Sequence, residues 1–292
     1  MTQPATSRSL LTQTNLTLGP VELIVANLHR SVAFYRQILG MNILDQNDRT
    51  VTLGLPHRPL VVLTAQSGAQ PTRPTSPGLY HLAVLLPTRA DLARWVQHAT
   101  NLGAHIGQSD HLVSEAFYLN DPDGHGIEVY RDRPRGEWRW QDGQVQMAGD
   151  LIDIEGLLAE SGADVPFTGL PEGTLMGHVH LRVADLTATE AFYCGVLGFD
   201  VVSRWPGALF ISVGGYHHHF GLNTWQSAGG APAPQGTSRL VRVNISLNDV
   251  SDLDALEARL RTLNVAFTRT HDILDVRDPA GNALRFSVEC AA

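Results

Sequence analysis

The apolar positions of this chain fall into two rhythms. Segments such as Val21-Glu22-Leu23-Ile24-Val25 and Val179-His180-Leu181-Arg182-Val183 alternate in side-chain character, with Leu23 and Val25, and Leu181 and Val183, on one face. Each runs into a stretch with apolar residues at helical spacing, Val32, Tyr35 and Leu39 in the first case. Two or three further strand-like runs follow, the last reached through a proline–glycine turn. The pattern predicts a strand, a helix and three strands, and it recurs four times, over 18–66, 78–133, 176–225 and 238–290.

The recurrence sets the fold class. VELIVANLHRSVAFYRQILGMNIL from Val21 matches VHLRVADLTATEAFYCGVLGFDVV from Val179 at an offset of 158 residues. Phe34-Tyr35 with Leu39-Gly40 reappear there as Phe192-Tyr193 with Leu197-Gly198. A second pair, from Tyr80 and from Val241, is followed in each case by an aspartate–proline turn, Asp121–Gly124 and Asp278–Gly281, and then by a short strand. An α+β fold of four βαβββ modules is expected, with a first pair over 18–133, a linker over 134–175 and a second pair over 176–290. A Pro-, Ser- and Gly-rich linker, QSGAQPTRPTSPG, separates the first two modules. The longer linker carries an acidic stretch, GDLIDIEGLLAE, that predicts a helix, and two tryptophans, Trp138 and Trp140, expected to pack on the body.

Composition removes several function classes. The 292 residues are 43% hydrophobic and 17% charged, as in globular domains. The net charge is -8 with no basic run, against nucleic-acid binding. All 21 basic residues counted as Lys+Arg are arginine, which excludes Schiff-base catalysis and a P-loop lysine on this chain. Cys194 and Cys290 form no C-x-x-C pair, fitting a reducing compartment. The N-terminal segment has no apolar core of signal-peptide length, and no stretch is apolar for long enough to span a bilayer. The expected location is the cytoplasm, with no membrane partner.

The FY-x-x-x-LG and DP-x-G signatures, repeated in this way, resemble the vicinal-oxygen-chelate (glyoxalase, bleomycin-resistance and extradiol dioxygenase) superfamily over nearly the whole chain. The resemblance looks closest to catechol-2,3-dioxygenase-like ring-cleaving enzymes, carried by GHVHLRVADL at 177–186, YHHHFGLNTW at 216–225 and SDHLVSEAFYLNDPDGHGIEVYRDRP at 109–134. It implies that two modules pair into an incomplete barrel around one metal. A His from the first strand of one module joins a His from the first strand and a Glu from the last strand of the other. The first-strand slots hold Pro20, His81, His178 and Arg242, and the last-strand slots of modules two and four hold Glu128 and Arg285. Neither proline nor arginine ligates a metal. A complete set, His81, Glu128 and His178, arises only if module two pairs with module three and one with four. His180 lies on the same strand face as His178, and the register favours His178.

Two His and one carboxylate leave open positions for a chelating diol and O₂, the ligand set of non-haem Fe(II) oxygenases. The resemblance therefore implies an extradiol dioxygenase with Fe(II), or Mn(II), acting on a catechol- or hydroquinone-type diol and O₂. It places a histidine of the stretch His217-His218-His219 near O₂, His218 by register, with His217 and His219 as alternatives. A strand there would put His217 and His219 on the opposite face to His218. Tyr118 falls at the family's active-site tyrosine, His111 at the pocket rim, and Asn223 and Trp225 along the substrate slot. Two other readings remain open at this point: a glyoxalase-like lyase or isomerase, whose fourth protein ligand is lacking from His219–Asn223, and a non-catalytic binder of small molecules. The sheet edges of such a fold are compatible with a homodimer.

Overall fold

The computed structural model describes residues 16–288, so Cys290 and the end of the fourth predicted module lie outside the described residues. Module one comprises β1 (Thr17–Val25), α1 (Leu28–Gln37), β2 (Asn42–Gln46), β3 (Thr50–Leu55) and β4 (Arg58–Ala65). Module two comprises β5 (Gly78–Leu85), α2 (Arg89–Asn101), β6 (Gly107–Asp110), β7 (Ser114–Asn120) and β8 (Gly126–Asp132). The long linker contributes α3 (Ile154–Leu158), inside the acidic stretch. Module three comprises β9 (Leu175–Arg182), α4 (Leu186–Glu190), which continues as a π-helical turn over Ala191–Leu197, β10 (Asp200–Trp205), β11 (Ala208–Ser212) and β12 (Phe220–Asn223). Module four comprises β13 (Leu240–Leu247), α5 (Val250–Thr262), β14 (Phe267–Thr270), β15 (Ile273–Arg277) and β16 (Ala283–Val288).

Helix starts are fixed by side-chain caps, as the sequence around them dictates. Asn27, Thr88, Asp185 and Asp249 each accept a backbone N–H of the first turn. In every module the first strand runs parallel to the last, as in Val21↔Val61, Leu82↔Ile127, Val179↔Phe220 and Val243↔Leu284. The apolar face of each sheet packs under its helices, with Val21, Leu23, Leu82, Val179, Leu181 and Val243 buried.

Modules pair out of chain order. β5 and β9 lie antiparallel with His81 opposite His180, and β1 and β13 lie antiparallel with Glu22 opposite Arg242. Two open half-barrels result, modules two with three and one with four, joined by the bridge Leu18↔Met176. Consecutive modules are instead latched by the repeated motifs. The Tyr35 hydroxyl donates to Asp121 across 3.2 Å, and Tyr193 donates to Asp278 across 3.2 Å. The other oxygen of each aspartate accepts backbone N–H groups of its own turn, at Asp123 and His125 and at Ala280 and Asn282. The Phe-Tyr and Asp-Pro signatures are thus two halves of one buried contact, made twice.

The linker departs from expectation at one tryptophan. Trp138 is buried against Val202, Phe210 and Tyr216, whereas Trp140 is 43% exposed in a short hairpin. Among the described residues no helix is long and apolar enough to cross a membrane.

Candidate metal centre and active site

Three neighbouring strands bring the candidate ligands together. Across β9, β5 and β8 the register sets His178 beside Ala83 and Ala83 beside Glu128. Ala83 is fully buried and carries only a methyl group, so the longer side chains on either side meet above it. His81 precedes Ala83 by two residues and shares its face. One ligand atom from each of His81, Glu128 and His178 lies within 4.8 Å of the others, and all three residues are buried. Glu128 Oε2 is 3.0 Å from Nε2 of His178 and 3.0 Å from Nε2 of His81.

Burial by itself would push the Glu128 carboxyl up, but the imidazoles of His178 and His81 reverse this and hold it well below the usual carboxylate range. Burial lowers His81, against the raising effect of Glu128. Each imidazole keeps one buried nitrogen without a hydrogen-bond partner: His81 Nε2, close to the carboxylate but out of line, and His178 Nδ1. Two imidazoles and one ionised carboxylate, each offering a ligand atom within 4.8 Å of the others, are the donor set a divalent transition metal takes. The residues fit such an ion. The corresponding place between modules one and four is closed by ion pairs: Arg285 binds Asp275 at 2.8 Å, and Arg242 lies 3.1 Å from Glu22. His180 stays outside the group of three. Its Nε2 accepts from Asn223 Nδ2 at 3.0 Å, and its ring lies over Gly221, where a Cβ would meet it at 2.7 Å.

The three consecutive histidines do not form a strand. β12 starts at Phe220, and Gly214 and Gly215, with φ of 63° and 67°, turn the chain just before Tyr216. Even so, His217 and His219 both pack against Tyr216, and of the three only His218 lines the cavity. His218 faces the cavity, its ring centroid 4.2 Å from that of His178. His217 is fully buried behind it, with Nε2 2.8 Å from Asp132 Oδ1 and Nδ1 2.8 Å from His218 Nδ1. His219 stacks on Tyr216, and burial pushes its pKa down to about 3. A carboxylate only accepts, so His217 Nε2 donates to Asp132, and in a neutral His217 ring Nδ1 then accepts from His218 Nδ1–H. His218 Nε2 is left with its lone pair, on a ring that burial, then His178 and His217, holds well below the ordinary imidazole pKa.

Tyr118 lies opposite Glu128 on the neighbouring strand β7. Its hydroxyl is 2.7 Å from His111 Nε2, and His111 Nδ1 is 2.6 Å from the carbonyl of Ala148. The carbonyl requires a proton on Nδ1, so Nε2 accepts from the Tyr118 hydroxyl. Burial, then the charge of Glu128, raises that phenol well above its ordinary pKa. His81, Glu128, His178, His218, Tyr118 and His111 all line one cavity of about 870 Å³ whose other walls include Tyr80, Phe210 and Trp225. Asn223 is buried behind His180 and is not part of the wall. Asp132, Ala83 and Arg182 escaped sequence reasoning. For Arg182 the signal was present, since it shares the alternating face of His178 and His180.

The profile of the Glyoxalase/Bleomycin resistance protein/Dioxygenase superfamily matches residues 17–129 and 175–286. A catechol-2,3-dioxygenase of Bacillus subtilis (strain 168) is 40% identical over 275 residues, covering 91% of this chain and 95% of that protein. A provisionally named dioxygenase from Bacillus subtilis subsp. subtilis str. 168 superposes with a TM-score of 0.65 at 14% identity, over 94% of this chain and 86% of the other. Glyoxalase I from Zea mays superposes with a TM-score of 0.57 at 18% identity, over 94% of this chain and 93% of that one. These two structures share the fold.

Proposed function

The chain belongs to the glyoxalase/bleomycin resistance protein/dioxygenase superfamily, and within it we propose that it is an extradiol ring-cleaving dioxygenase acting on a catechol- or hydroquinone-type diol and O₂. The observation that carries this reading is the convergence of His81, Glu128 and His178 from two modules at the base of a large cavity. The relative named catechol-2,3-dioxygenase supports it.

In this reading His81, Glu128 and His178 hold one metal ion, Fe(II) or alternatively Mn(II). When bound, the ion supplies the positions at which diol and O₂ meet and the electronic coupling between them. The rest falls to the chain. His218 Nε2, the free lone pair on the cavity wall, takes a proton from the reacting oxygen and returns it. His217 and Asp132 keep the proton of His218 on Nδ1, so that Nε2 stays available. The Tyr118 hydroxyl, oriented by His111, hydrogen-bonds a substrate oxygen. Phe210 and Trp225 offer apolar surface to the substrate ring from the cavity wall.

The lyase reading is weaker because β12, Phe220–Asn223, offers no acid as a fourth ligand. A pure binding role would leave the buried donor set without a use. Two isolated cysteines and the family's small-molecule chemistry favour the cytoplasm as the place of action. Loading the protein with Fe(II) and following O₂ uptake across a panel of catechols and hydroquinones tests the reading. Uptake with ring opening supports it, and bound metal without uptake on any diol sinks it.

A further inference from the structure

Arg182 ends the row of side chains that β9 sends into the active-site cavity. His178, His180 and Arg182 alternate on one face of the strand. Arg182 stands at the far end, in the wall shared by the metal-site cavity and a second cavity of about 660 Å³.

Among the described residues its charge has no counterpart. Several other partly buried arginines are matched to acids: Arg89 and Arg131 share Glu115, Arg133 meets Asp110, and Arg285 meets Asp275, while Arg239 and Arg259 donate instead to amide or backbone oxygens. Among the described residues the Arg182 guanidinium has no carboxylate, and its Nε, cut off from solvent, has no hydrogen-bond partner. The chain has 29 acids against 21 arginines, so acids are not scarce. Glu128 is the carboxylate of the metal-site cavity, and His81 and His178 engage it. Burial pushes the guanidinium below its ordinary pKa, and the group acting the other way is the phenol of Tyr80. Holding such a group unpaired costs free energy that a bound anion recovers. A guanidinium edge suits a carboxylate above other anions, because two N–H groups match its two oxygens.

We infer that Arg182 receives a carboxylate on the side chain of the aromatic diol, so that the favoured substrate is a carboxylated catechol with its hydroxyls at the metal centre and its acid toward the end of β9. The inference rests on the ring-cleavage reading for the diol end and on Arg182 alone for the acid end. The experiment separates the two.

Metal-loaded wild type, Arg182→Met and Arg182→Lys are titrated without O₂ with dihydrocaffeate, a catechol bearing a propionate, and with propylcatechol, its uncharged counterpart. O₂ uptake is then measured on both, and phenylpropionate, which lacks the diol, is tested by ligand-observed NMR. Wild type should favour dihydrocaffeate by about tenfold or more in both affinity and kcat/KM. Arg182→Met should bring that ratio close to unity, and Arg182→Lys should keep part of it. Among the described residues the Arg182 side chain makes no hydrogen bond, and thermal melts check that the variants fold. A ratio near unity in wild type, or one unchanged in Arg182→Met, overturns the inference. If neither diol binds or is cleaved, the ring-cleavage reading fails, and phenylpropionate decides the acid site. Binding that is lost in Arg182→Met sustains it, and no binding to wild type removes it.

Discussion

Replacing Asp132 by Asn tests the most specific part of the proposed chemistry, because it leaves the metal ligands and the cavity untouched. Asp132 accepts from His217 Nε2 at 2.8 Å, and this fixes which nitrogen of His217 is free to accept from His218. With asparagine, an amide of the same shape competes. If its NH₂ turns toward His217, the tautomers of both rings invert and His218 Nε2 carries a proton instead of a lone pair. A hydrogen bond to a charged group contributes about 1.5–3 kcal/mol, and 1.4 kcal/mol is a tenfold change. The side chain of Asp132 is 23% exposed, which screens the charge and favours the lower end. The expected loss in kcat is therefore about ten- to thirtyfold, with metal content and KM little changed. The assay is steady-state O₂ uptake on a cleaved catechol, normalised to bound metal and repeated across pH. A variant with wild-type kcat and an unaltered pH profile would refute the relay from Asp132 to His218.

Other outcomes follow from the same geometry. Tyr118→Phe should lower kcat/KM by about tenfold, because the hydroxyl held by His111 is lost while the ring remains; a kinetic match to wild type would show that Tyr118 only packs. Ala83→Val adds bulk where His178 and Glu128 meet. It should cost about 1–3 kcal/mol of stability and weaken metal binding, read by denaturant melts and metal titration, and unchanged values in both would contradict the packing argument. In the metal-free protein, burial holds His81, His180 and His218 below their ordinary 6.5. Just below that value the unfolded chain therefore binds more protons than the folded one, so stability falls as pH drops through the window beneath 6.5. Glu128, also held low, adds a loss of the same sign at more acidic pH. Denaturation midpoints at about pH 7.5 and about pH 5.5 check the sign, and an equal or higher midpoint at the acid value contradicts it.

The repeat made the architecture legible. Two rhythms of apolar residues and paired signatures specify four βαβββ modules, and the out-of-order pairing follows from which of the slots implied by the family resemblance can ligate a metal. What the signatures do was not legible: Tyr35 and Asp121 are 86 residues apart, and only the folded chain shows that they touch. The meeting of His81, Glu128 and His178 was readable because the family resemblance supplies the strand slots and alternation fixes direction once the register is known. In the histidine stretch the strand itself was misread, since the glycines at 214 and 215 turn the chain there and β12 starts only at Phe220. Asp132 was hidden for a related reason, since its partner His217 comes from another module and local pattern carries no information about that meeting. Arg182 was visible as a residue on the right face, but its lack of an acid is a property of three-dimensional surroundings.

The account depends most on module three completing the metal site of module two. The direct measurement is anaerobic loading of wild type and His178→Ala with Fe(II), followed by metal analysis and then O₂ uptake and ring-opened product formation on addition of catechol and air. The account predicts one metal per wild-type chain with ring opening, and loss of both tight metal binding and turnover in His178→Ala. Metal binding and turnover that survive without His178 would contradict it.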